Sequence, residues 1–149
     1  MGMTTSKKGI ALVKHYEGFR AQAYYCPAGV PTIGYGTTNG IKMGMKITEA
    51  QGEAYLQADL RKFEAAVNRV VRVKLNQAQF DALVSFTYNL GEGALASSTL
   101  VKLLNQGRYD LVPDQLLRWN KAGGRVLAGL TKRRESEADL FKTGKLNLK

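Results

Sequence analysis

Cysteine, histidine and proline are scarce in this chain of 149 residues: Cys26 and His15 each occur once, and the prolines number 3. A lone cysteine excludes an internal disulfide, which suits synthesis in a reducing compartment and leaves burial and hydrogen bonding to hold the fold. One Cys and one His cannot supply the four ligands of a structural zinc site. Long apolar runs are also missing. The stretch Ile10 to Val13 is far too short for a signal-peptide core or a membrane span. No repeat or low-complexity tract appears. With hydrophobic residues at 44% and charged residues at 23%, the composition is that of a folded globular chain rather than a disordered one.

Acidic residues are the minority charge, 12 against 22 Lys and Arg, for a formal net charge of +10. Such a surface attracts polyanions: nucleic acid, an acidic membrane, or a bacterial wall carrying phosphate and carboxylate. Charge alone does not choose among them. No RNP-like aromatic strand or zinc-ligand set supports specific nucleic-acid binding. The last helix is the only candidate for a membrane-active amphipathic segment, and Glu135, Glu137 and Asp139 interrupt its positive face.

The spacing of apolar residues and turn formers orders the rest. Residues 6–16 read as a short helix ending where Gly18 begins an irregular region. From Phe19 to Ile47 no helical period appears; Ala23–Tyr25, Thr32–Tyr35 and Lys46–Ile47 are short-strand candidates between Pro27, Gly29, Pro31 and Asn39-Gly40. Thr48 with Gln51 has the form of a capping box, and Leu56, Leu60, Phe63, Val67 and Val70 continue a long amphipathic helix to about residue 70. Asn76 with Gln79 repeats the capping logic, and Gly91 is placed to end that helix in the left-handed conformation. Ser98 can cap a helix from Thr99 to Gln106 stopped by Gly107, and Asp110 can cap one carrying Pro113 in its first turn. Gly123-Gly124 then breaks the chain before a final helix at about Leu130–Lys142.

Chemistry concentrates in Glu17-Gly18-Phe19-Arg20, Ala23-Tyr24-Tyr25-Cys26-Pro27 and Gly29-Val30-Pro31-Thr32-Ile33-Gly34-Tyr35-Gly36. These segments resemble the active-site region of the phage-type lysozymes, endolysins that hydrolyse the bond between N-acetylmuramic acid and N-acetylglucosamine. That family places a glutamate at the end of its first helix, then an aspartate or sometimes a cysteine, then a threonine; the matching positions here are Glu17, Cys26 and Thr32. The resemblance continues through Ser85-Phe86-Thr87-Tyr88-Asn89-Leu90-Gly91, Ser98-Thr99-Leu100, Arg118-Trp119 and Arg133-Arg134 to Glu137. It therefore spans nearly the whole chain.

Glycoside cleavage usually needs one group to protonate the leaving oxygen and a second to handle water or the sugar cation. Glu17 suits the acid, because apolar neighbours Tyr16 and Phe19 and the negative end of a helix dipole favour its protonated form. For Cys26 the residues leave four roles open: thiolate nucleophile, base, polar spacer or apolar filler. Thr32 either holds the attacking water or is an ordinary strand threonine. The resemblance implies Thr38, Tyr88 and Thr99 as saccharide contacts and either Arg133 or Arg134 as the ion-pair partner of Glu17. Thr37 stands where the family commonly has histidine, while His15 and Trp119 read as structural. The implied fold is a single lysozyme-like α+β domain over residues 1–149, with a β lobe at 18–47, a connecting helix at 48–70 and a helical lobe from 6–17 and 71–149. The implied protein is a monomer acting on peptidoglycan without metal or cofactor, held in the host bacterial cytoplasm until a holin-like pore admits it to the wall. A lysozyme-fold wall binder without catalysis is the alternative that Cys26 leaves open.

Overall fold

The computed structural model describes residues 2–149, and Met1 lies outside the described residues. Helix α1 (Lys7–Glu17) is followed by strands β1 (Arg20–Tyr25) and β2 (Pro31–Gly34) and by the long helix α2 (Glu49–Val70). Helices α3 (Gln77–Leu90), α4 (Glu92–Ser97) and α5 (Thr99–Asn105), a 3₁₀ turn at Tyr109–Leu111 and helix α6 (Val112–Leu117) come next. A hairpin of β3 (Lys121–Ala122) and β4 (Arg125–Val126) leads into α7 (Ala128–Thr143). The fold is mostly helical with small antiparallel sheets, in keeping with the α+β class expected from the sequence.

Both capping boxes form. Thr48 accepts from the Gln51 backbone N–H at 3.2 Å while Gln51 reaches back to Thr48 N at 2.9 Å. Asn76 and Gln79 do the same at 2.8 and 2.9 Å. Each box satisfies two N–H groups that a helix start otherwise leaves without partners. Ser98 caps α5 by accepting from Val101 N at 3.0 Å.

Elsewhere the structure departs from the sequence reading. Asp110 caps nothing: it lies inside the 3₁₀ turn, and α6 starts behind Leu111 without a side-chain cap. Gly91 takes a positive φ of 97°, but its ψ of 158° is extended rather than left-handed helical. The chain thereby passes directly from α3 into α4, a six-residue helix that the sequence reading lacks. Gly123 and Gly124, read as a break, form the positive-φ turn of the β3–β4 hairpin.

β1 and β2 pair antiparallel, with Tyr24 opposite Thr32 and a bulge between Arg20 and Tyr24. The third strand candidate is only a bridge, Gln22 to Lys46, reinforced by Ile47 N–H donating to Ala21 O at 2.9 Å. The core lies between α3 and the helices around it. Eight consecutive residues of α3, Phe80 to Thr87, are buried, so this helix has no wet face in its middle. Leu12 and Val13 of α1, Leu56 and Leu60 of α2 and Leu140 of α7 belong to the same buried cluster. The chain before α1 is also tied down, with Thr5 Oγ1 donating to Glu64 at 2.7 Å and Ser6 N–H donating to Asp81 at 3.0 Å.

Candidate active site

Glu17 is the last residue of α1, and Gly18, at φ 73°, turns the chain away immediately afterwards while its N–H closes the helix on Lys14 O at 3.0 Å. The Glu17 carboxylate, whose side chain is 23% exposed, meets Arg133 Nη1 of α7 at 2.7 Å. Arg133 is itself buried, and its remaining donors go to α3: Nε to Ser85 Oγ at 3.3 Å and Nη2 to Ser85 O at 3.2 Å. The guanidinium thus spans from the helix core to the wall of a cleft.

That cleft, of about 380 Å³, is lined on one side by Glu17, Gly36, Thr38 and Asn39, and on the other by Asp59, Lys62 and Phe63 of α2 and Tyr88 and Asn89 of α3. The turn beyond β2 shapes its floor. Ile33 and Thr37 exchange both backbone hydrogen bonds at 2.9 Å, folding Gly34 to Gly36 into a tight loop. At Gly36, where φ is 100°, a Cβ would come within 3.1 Å of the Tyr88 hydroxyl and 3.5 Å of Glu17 Oε1. The Tyr88 hydroxyl donates to Tyr35 O at 2.8 Å, pinning the loop to α3. Burial, and then the negative charges of Glu17 and Asp59, push the Tyr88 phenol far above its ordinary range, so it stays a neutral donor.

Cys26 and Thr32 lie together at the far end of the β1–β2 hairpin. Cys26 is half-buried, its N–H donating to Val30 O at 3.0 Å and its carbonyl accepting from Gly29 N at 2.8 Å. Hydrogen bonds from the backbone at Val30 and Ala28, aided by the Thr32 side chain, hold its thiol below the ordinary value of 9.0. Thr32 is buried and donates its hydroxyl to Val30 O at 2.9 Å. Neither residue lines the cleft around Glu17.

Of the site residues expected from the sequence, the cleft itself therefore gathers Glu17, Thr38 and Tyr88. Thr99 is exposed at the first position of α5, away from the cleft lining. The two arginines divide their work: Arg133 meets Glu17, whereas Arg134 Nε lies 2.8 Å from Glu137 Oε1 and its Nη2 donates to Asn89 Oδ1 at 2.6 Å. Neither belongs to a solvated helix face. His15 is exposed with its ring edge-on to Tyr16, and Trp119 packs edge-on against Phe86 at 5.4 Å, a core contact. Asp59, Lys62, Phe63, Asn39 and Asn89 were missed. Their signal in the sequence is faint, although Asp59, Lys62 and Phe63 do share one helix face by their spacing of three and four.

The chain is similar to known proteins in sequence and in fold. A model of the phage lysozyme family, described as "Phage lysozyme", matches residues 14–137. The chain belongs to the phage lysozyme family. The endolysin of Bacillus phage B103 is 45% identical over 95% of this chain, which spans only 55% of that relative. The endolysin of Acyrthosiphon pisum secondary endosymbiont phage 1 is 43% identical and matched over 95% of this chain and 99% of its own length. Among solved structures, an endolysin from Escherichia coli O157:H7 phage FAHEc1 is 42% identical and superposes with a TM-score of 0.89 over 97% of both chains. Relatives from phages PS119, PS34 and Mu carry the name SAR-endolysin. Among the described residues no helix is long and apolar enough to cross a membrane.

Proposed function

We propose that this phage lysozyme family member is an endolysin muramidase, hydrolysing the bond between N-acetylmuramic acid and N-acetylglucosamine in peptidoglycan, with Glu17 as general acid. The observation that carries the reading is the Glu17 carboxylate on the wall of a cleft of about 380 Å³, anchored from behind by Arg133. Glu17 protonates the leaving oxygen as the glycosidic bond breaks, and water completes the hydrolysis. Cys26 and Thr32 form the second part of the site, a thiol whose hydrogen bonds favour its anionic form beside a hydroxyl, with water as the group they act on. Thr38 and Tyr88 contact saccharide in the cleft; Thr99 serves a more distant part of the glycan strand.

The lobe division follows the same reading. Residues 18–47 form the β lobe, 48–70 the connecting helix, and 6–17 with 71–149 the helical lobe, so that substrate enters between them. The chain acts as a monomer, and its excess positive charge speeds encounter with the anionic wall, a contribution that rising salt screens. It waits in the host cytoplasm until a holin-like pore releases it. Expression with and without a pore-forming protein tests that route, since lysis without the pore supports a holin-independent one.

Clearing of outer-membrane-permeabilised Gram-negative cells tests the activity. The wild-type chain is expected to clear the suspension and Glu17→Gln to be slower by about 10²–10⁴-fold. Binding to peptidoglycan without clearing by the wild type would favour the rival reading, a wall binder disabled by a cysteine where the family commonly carries aspartate.

A further inference from the structure

Behind Glu17 the charges alternate in an unbroken series. Glu17 meets Arg133 at 2.7 Å, Arg133 Nε lies 3.4 Å from Glu137 Oε2, and Arg134 Nε lies 2.8 Å from Glu137 Oε1. Glu137 and Arg134 are entirely buried, and Arg133 nearly so. Water therefore screens little of what passes along the series. Ser85 locks its middle, donating to Glu137 Oε2 at 2.6 Å while accepting from Arg133 Nε. Arg134 Nη2 donates to Glu137 Oε2 at 3.3 Å, whereas the closer Nε–Oε1 approach lacks the alignment of a hydrogen bond and acts through charge alone.

We infer that Glu137 is a positioning residue for catalysis, one that offsets the charge of Arg133 and so lets Glu17 keep the proton it must donate. The inference rests on Glu17 being the acid. An arginine paired with Glu17 alone would favour the charged carboxylate, which cannot protonate a leaving oxygen. Glu137 supplies a second anion on the far side of the same guanidinium, while Arg134 balances Glu137. Burial raises the Glu137 carboxyl, opposed by Arg134, Arg133 and the Ser85 hydroxyl. With a serine donor and two guanidiniums around its oxygens, the carboxylate is the form this geometry accommodates.

The groups facing the series are few. Tyr88 of α3 and Asp59 and Lys62 of α2 border the cleft beside Glu17. Asn89 joins Arg134 to the same cleft. From α1 only Glu17 enters, because Lys14 pairs with Glu49 and Glu53, and His15 is exposed. The substitutions below leave all of these in place.

The test is the pH–rate profile of peptidoglycan hydrolysis. Glu137→Gln removes the far anion, and the alkaline limb of kcat is expected to fall by roughly one pH unit, with KM little changed. Arg134→Met removes the far cation and is expected to move the limb the other way. The double variant, which removes one buried charge of each sign, should return the limb most of the way to wild type and keeps the core neutral if Glu137→Gln fails to fold. A limb that stays in place in every variant that folds overturns the inference, whatever happens to melting temperature. Glu17→Gln in the same assay keeps the two readings apart. Activity surviving that substitution removes Glu17 as the acid, whereas its loss together with an unmoved limb removes only the part given to Glu137.

Discussion

The Thr37 hydroxyl donates to Asp59 Oδ2 at 2.6 Å, joining the loop after β2 to the middle of α2. Thr37 is buried and Asp59 borders the cleft, so the bond fixes one wall relative to the other. Thr37→Val keeps the shape and removes the donor. It is expected to cost about 1–2 kcal/mol in urea unfolding and to raise KM, because Asp59 then turns toward the space that substrate fills. Unchanged unfolding and KM would show that the bond fixes nothing.

Arg133 is predicted to matter for stability as well as for rate. Arg133→Gln leaves Glu17 and Glu137 without their shared cation. Removing one partner of a buried ion pair costs about 3–5 kcal/mol, and the partial exposure of Glu17 places this case toward the lower end. Denaturant unfolding reads the loss directly; a change under about 1 kcal/mol would mean that water replaces the guanidinium.

Cys26 offers a chemical readout. Because hydrogen bonds at Val30 and Ala28 hold its thiol below the ordinary value, a larger fraction is thiolate at any given pH, and the midpoint of its alkylation by iodoacetamide should lie below that of an unstructured cysteine peptide. Alkylation should also abolish hydrolysis. Full activity of Cys26→Ala would reduce the residue to a filler, while activity kept only by Cys26→Asp would show that the site needs an anion.

Lys14 bridges α1 to the start of α2, at 2.8 Å from Glu49 and 2.6 Å from Glu53. Glu49, and then Glu53, raise the Lys14 amine above its ordinary 10.5, while Lys14, and then Tyr35, depress Glu49 below 4.5. The signs set a window. The carboxylate's contribution is complete above pH 4.5 and is lost as pH falls through the folded value; the amine's is complete below pH 10.5 and is lost as pH rises through its own. Lys14→Met should therefore lower the melting temperature by a constant amount between those limits, and by less at more acidic pH. A difference independent of pH would assign the effect to packing of the lysine stem.

What was legible in the sequence was local or carried by a motif. The capping boxes at Thr48 and Asn76 need only residues three apart, and both helix starts fell where they were expected. The β3–β4 hairpin was illegible because its strands are two residues each, too short for alternation to register. At the site, Glu17 stood out through the segment that follows it. Asp59 and Glu137 did not, since a charged residue on a helix reads as solvent-facing until a partner is supplied. For Glu137 that partner includes Ser85, on a different helix and 52 residues away. Burial of charge is a property of the assembled fold, and no local pattern encodes it.

Position 36 adds a constraint of a different kind. Because a Cβ there would press on the Tyr88 hydroxyl and lie against Glu17, the hydrogen that glycine carries leaves open the space in which a sugar ring and a carboxyl can meet. Retuning the cleft for new glycans can vary the opposite wall at Lys62 or Phe63, but at the floor any side chain meets both a positive φ and the Tyr88 hydroxyl. An alanine at 36 would fill part of the reaction vessel.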